Sequence, residues 1–175
     1  MYHGKKDLQN LKNQYGTKTI TYFKNGFYKD STNAHSAAIQ YWRSSDTAAY
    51  IMDSMNSDTV LKVFVNGGHG HKSTYKTEIN TDTILGYVCN RLTIKTGSII
   101  RKYYYSNKLK LDAKYYDNYT YSNKNEIMNQ MESAYLKLEI IEEDYKFTVL
   151  ATEIKKRKLA DSFFSIPSGK SIKNI

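Results

Sequence analysis

The amino-acid sequence predicts an α+β fold. It calls for a curled antiparallel sheet of about nine to eleven strands, with one or two helices over its concave face. Three observations carry this. Apolar and polar residues alternate with period two along most of the chain, broken by turn-forming clusters. The connections between alternating segments are short, which suits an antiparallel meander and leaves no room for helical crossovers. Helical spacing is confined to two short stretches.

In chain order, residues 1–16 form an N-terminal extension with a short helix on Leu8, Leu11 and Tyr15. Thr17 to Lys24 alternates Ile20/Tyr22 against Thr19/Thr21/Phe23 and meets Asn25-Gly26, a hairpin signal because both residues tolerate positive φ. The chain returns from Phe27. Strands are expected at Ala37–Arg43, Ala48–Asp53 and Thr59–Val65, with Ser44-Ser45-Asp46 and a polar stretch from Asp53 to Asp58 as turns. Asn66-Gly67-Gly68-His69-Gly70-His71 is a loop, since three glycines disfavour any regular element. Strands follow at Thr74–Ile79, Thr83–Lys95 and Ser98–Tyr105, the last ending in three consecutive tyrosines. Residues 109–111 and 115–121 are short or irregular.

A helix is expected after Ser122 or Asn123, one of which caps it, with Glu126 completing a capping box. Its apolar side is Ile127, Met128 and Met131, the natural cover for a sheet face. Tyr135–Ile141 and Tyr145–Lys155 form the last strands around the acidic turn Glu142-Glu143-Asp144. The chain closes on a basic turn, an apolar tuck at Leu159, Phe163 and Phe164, and Pro167, the single proline. Residues 170–175 are a polar tail, expected to fray.

With 175 residues the chain is sized for one domain, expected over 17–169. No apolar run approaches the roughly 18 residues of a membrane helix, so the chain is not expected to span a membrane. No signal-peptide apolar region follows Met1, which leaves either a cytoplasmic protein or one whose export signal lies outside this sequence. The single cysteine, Cys89, forms no internal disulfide and alternates with bulky residues, as a packed thiol does.

Lys and Arg number 26 against 17 acidic residues, a formal charge of +9, and there are 17 tyrosines. Basic plus aromatic residues serve single-stranded nucleic-acid binding. Here, however, the lysines are scattered and no RNP-type, zinc-knuckle or helix-turn-helix pattern appears, and tyrosine is an ordinary strand residue. Nucleic acid is therefore not the expected partner.

Three stretches fit together in order. They are Ile84-Leu85-Gly86-Tyr87-Val88-Cys89, then Tyr103-Tyr104-Tyr105-Ser106-Asn107-Lys108-Leu109, and then the run from Leu136-Lys137-Leu138-Glu139 through Ala151-Thr152-Glu153-Ile154. That run continues to Leu159, Asp161, Phe164, Ile166, Pro167 and Gly169. Over residues 77 to 169 this order resembles envelope proteins of Bacteroidota with a LolA/LolB-like fold, the GLPGLI-type proteins and their relatives of unknown function. The resemblance implies an open half-barrel whose concavity is plugged by helices, with Phe163 or Phe164 sealing the sheet's end. It also implies placement in the periplasm or at the cell surface. In the sorting proteins of that fold the cavity holds acyl chains.

The sequence names no catalytic residues, no metal site and no cofactor. His69-Gly70-His71 lacks the four ligands of a structural zinc site. No G-x-S-x-G is present, Glu142-Glu143-Asp144 fits a solvated hairpin turn, and the Gly67 to Gly70 loop lacks the Lys-Ser/Thr of a phosphate loop. A non-enzymatic role is expected. Phe23, Met52, Met55, Tyr87, Tyr103, Tyr105, Met128 and Met131 are the candidate lining of an apolar cavity for an acyl ligand or lipidated partner, methionine suiting variable shapes. The alternative is that the same residues fill an ordinary core and the protein docks another envelope protein through its surface. Oligomeric state is left open.

Overall fold

The computed structural model describes residues 2–4, 7–35, 38–54, 56–67 and 72–175. Among the described residues the fold is α+β, with sheets whose strands pair antiparallel except at one edge, two helices and no closed barrel. Where one curled sheet is expected from the sequence, the strands sort into two of six strands each. The described residues gather into two units around them. One draws on 1–6, 69–114 and 122–156, the other on 7–68, 115–121 and 157–175.

In the first unit the strands are β1 (Tyr2–Gly4), β7 (Ser73–Ile84), β8 (Tyr87–Thr96), β9 (Ile99–Lys110), β10 (Ser133–Ile141) and β11 (Tyr145–Leu150). They are ordered β1-β11-β10-β9-β8-β7, every neighbour antiparallel. The expected strand from Thr83 is corrected here. Ile84 pairs with Tyr87, and Leu85 and Gly86 form a two-residue turn with φ of 50° and 79°. Two positive φ values match the right-handed strand twist that tight hairpins require. The polar residues before it continue β7 through a bulge at Asn80, whose φ is 52°. The last long strand also stops early, at Leu150. Its partner Lys137 adjoins a register shift in β10, so the ladder ends there.

Register places Tyr75, Leu92, Ile94, Tyr103 and Tyr105 on one face of this sheet. Helix α2 (Lys124–Met131) lies over that face and buries Ile127, Met128 and Met131. The expected capping box does not form. Asn123 has φ 58°, outside the extended region a capping residue uses, and its side chain makes no capping hydrogen bond. Its amide donates instead to Ser73 Oγ (3.2 Å) and Tyr75 Oη (3.3 Å), while the Tyr75 hydroxyl donates to Glu126. Two predicted capping side chains thus tether the helix to β7.

The opposite face carries a cross-strand row, Glu78–Arg91–Tyr104–Lys137. Arg91 donates to Glu78 (2.8 Å), and the Lys137 ammonium stands 4.3 Å above the Tyr104 ring. Lys137 and Lys146 both approach Glu139, at 3.4 and 3.2 Å. Beside this row, Ile84, Cys89, Tyr104 and Leu136 form a small apolar cluster, and burial pushes the Cys89 thiol up.

Burial works against the Glu139 charge, but the Lys146 hydrogen bond and the two ammonium charges outweigh it, holding this carboxyl below its usual range. A carboxyl depressed in the fold adds stability that is present above its unfolded value, roughly pH 4.3, and lost as pH falls through the folded one. Glu139→Gln is therefore expected to lower stability by about 2 kcal/mol at neutral pH. The deficit should shrink on acidification. Urea midpoints of both proteins across that range check this, and a deficit independent of pH contradicts it.

The second unit holds α1 (Leu8–Tyr15) and a meander of β2 (Thr19–Lys24), β3 (Phe27–Thr32), β4 (Ile39–Arg43), β5 (Ala48–Met52) and β6 (Thr59–Phe64). The Asn25-Gly26 turn forms as read, with φ of 41° and 83°; a side chain at Gly26 would also meet Ser44 Oγ at 2.5 Å. The tail expected to fray is instead a strand, β12 (Ser171–Asn174), parallel to β6. One face of this sheet buries Ile39, Tyr41, Met52 and Val60 with Ile166 against them. On the other face, Trp42 stacks on Tyr116 at 5.0 Å and leans on Tyr119 at 5.3 Å, while Tyr119 accepts from Gln40. Burial raises the Tyr116 hydroxyl well above the ordinary tyrosine range.

Candidate functional site

The chain after Leu150 has no regular structure until a 3₁₀ turn at Asp161–Phe164. In the second unit, the part from Arg157 onward folds across the Tyr22/Lys29/Tyr41 face and is fixed by aromatic rings and two lysines. Phe164 is 1% exposed and lies 5.4 Å from the Phe27 ring, while Phe163 meets Tyr22 edge-on at 4.8 Å. Lys24 donates to the Leu159 carbonyl (2.5 Å) and to Asp161 (2.7 Å). Lys29 donates to the Phe163 carbonyl (3.3 Å) and sits 4.1 Å over its ring, and burial lowers its pKa.

Where this segment meets the sheet edge there is an open, shallow depression of about 350 Å³, lined by Phe23, Lys24, Arg157, Lys158 and Leu159. Asp161 pairs with Lys24, whereas among the described residues Arg157 and Lys158 have no ion-pair partner. Both are exposed and continue the basic run from Lys155 and Lys156. The result is an apolar floor beside two unneutralised cations.

Of the eight predicted lining residues, Phe23 is the one that opens onto this depression. Met52 is fully buried in the second unit's core. Tyr103, Tyr105, Met128 and Met131 are at most 8% exposed and belong to the first unit, and Tyr87 packs half-buried against the Cys89 cluster. The predicted set is thus divided between two cores. Met55 lies outside the described residues, as do His69, Gly70 and His71. Sequence reasoning missed Lys24, Arg157 and Lys158 as a group. The signal was the unbroken Lys155 to Lys158 run, read as a turn.

Comparison with protein-family models, curated proteins and solved structures found no match to this chain.

The LolA-like resemblance accordingly remains an expectation, and the geometry above carries the functional reading. Among the described residues, no cluster of His, Cys, Asp or Glu is arranged to hold a metal ion, and no helix is long and apolar enough to cross a membrane.

Proposed function

We propose that this chain is a non-enzymatic interaction protein with filled cores, docking an acidic protein surface at the Phe23/Lys24/Arg157/Lys158 depression. The observation that supports it is the pairing of exposed, unneutralised cations with an apolar floor, next to the point where Lys24 holds the Leu159 carbonyl and Asp161. Arginine and aromatic side chains together favour protein docking, and an open depression suits a convex partner better than an enclosed small molecule. The acyl-carrier reading draws less support, because most of its named lining residues are packed in two separate cores. Cell-envelope placement, implied by the resemblance, belongs to the same proposal and is tested by fractionating cells that express the full gene product.

The binding test uses a fluorescent, glutamate-rich peptide and anisotropy at low and physiological salt. The variant Arg157→Gln/Lys158→Gln should bind roughly tenfold more weakly, since two rim charges contribute about 1.4 kcal/mol together. Equal binding by both proteins overturns the site. Tighter binding of a single-stranded oligonucleotide, with a steep salt dependence, overturns the choice of a protein partner. Recovery of a stoichiometric acyl chain with the purified protein overturns the filled-core reading.

A further inference from the structure

The geometry points to the outer edge of β6 as a strand-docking site that exchanges its occupant with a second copy of this chain, whose Ser171–Asn174 strand takes the place of the resident one. The acceptor edge and its ligand are both visible. Ser171, Ile172, Lys173 and Asn174 align in parallel with Thr59, Val60, Leu61 and Lys62. The contacts beyond this ladder are backbone bonds and rim contacts. Ser171 donates from its N–H (2.9 Å) and hydroxyl (3.0 Å) to the Asp58 carbonyl, and the Ile175 N–H donates to the Lys62 carbonyl (3.1 Å).

All four side chains of β12 are exposed. Ile172 shows why this matters. It aligns with fully buried Val60, on the core face, yet is itself 55% exposed. Apart from the Ser171 hydroxyl on the Asp58 carbonyl and rim contacts of Ser171 with Thr59 and of Lys170 with Asp58, no side chain anchors the strand, so attachment rests chiefly on main-chain pairing. An identical segment from another molecule reproduces every one of those bonds, which makes exchange nearly isoenergetic apart from association entropy.

The tether sets the geometry of the pair. Ile166 packs against the core cluster, and residues 167–170 lead from it to β12. Four residues span at most about 14 Å. Pro167 has a fixed φ, whereas Gly169, at φ 79°, has nothing within 4 Å of where a side chain would stand. So short a tether requires the two β6 edges to be close neighbours. The exchange is then reciprocal and closes as a twofold dimer, not an open fibre.

A cysteine pair at the aligned positions reads the exchange directly. The protein Thr59→Cys/Ser171→Cys is oxidised at a series of protein concentrations and run on non-reducing gels. Cys89 is fully buried and does not compete. The expected result is an intramolecular cross-link at low concentration and a covalent dimer whose share rises with concentration. Adding Lys173→Pro, which removes a donor on the β6-facing alternation set by the Ser171 and Ile175 N–H groups, should abolish both species. An exclusively intramolecular cross-link at every concentration overturns the exchange. Failure to cross-link at all overturns the seating of β12 on β6.

Discussion

Replacing Trp42 with alanine is expected to destabilise the second unit by about 4 kcal/mol. Trp42 is the single tryptophan and is 1% exposed. It stacks on Tyr116 at an interplanar angle of 23° and tilts against Tyr119. Truncation leaves a cavity beneath two rings that are themselves held by the backbone of 115–121, where Thr120 and Tyr121 both donate to the Val65 carbonyl. Such a site collapses poorly, which places the cost high in the usual range. Trp42→Phe should behave differently. The buried indole N–H has no hydrogen-bond partner among the described residues, so phenylalanine sheds an unsatisfied donor while keeping a stacking ring. Its expected cost is about 1 kcal/mol. Urea unfolding followed by far-ultraviolet circular dichroism compares the two. Equal losses for phenylalanine and alanine would show that the ring stack contributes little.

Which features were legible in the sequence follows from how local their causes are. The Asn25-Gly26 hairpin was readable because two adjacent residues set its turn, and Lys24 does pair with Phe27 across it. The helix at 124–131 was readable from Ile127, Met128 and Met131 for the same reason. By contrast, Leu85 occupies a left-handed position that leucine seldom takes, so Leu85-Gly86 looked like strand and is a turn. Ser171–Asn174 carries no alternation at all; it is a strand because the Thr59–Lys62 edge offers it hydrogen bonds. Period two likewise says which side chains share a face, but not which strands share a sheet. That choice depends on partners far along the chain, and so one expected sheet became two. The division of the candidate lining residues between two cores has a related reason. Met52 or Met131 reads identically in sequence whether it faces a cavity or a packed neighbour.

Either Phe163 or Phe164 suits the sequence as the seal of the closing segment, and the structure separates them. Phe164→Ala should cost about 3 kcal/mol, whereas Phe163→Ala should cost about 1 kcal/mol. Phe164 is buried against Phe27, on a strand whose Tyr28 and Lys29 already pair to both sides. Phe163 is half-buried, and its losses are an edge contact with Tyr22 and the Lys29 ammonium over its ring. The two variants should also part in function. Without Phe164 the 157–166 segment loses its fully buried anchor and is left to the Lys24 and Lys29 contacts, the half-buried Phe163 and the packing of Ile166, which hold its 157–161 part weakly. Amide exchange should accelerate across 159–165, and affinity for the glutamate-rich peptide should fall even in molecules that remain folded. Without Phe163 the depression keeps its walls, and peptide affinity should stay near that of the unmodified chain. If Phe163→Ala proves the more damaging of the two, the segment is fixed by its lysine contacts and not by its buried ring. The basic depression would then owe its shape to Lys29.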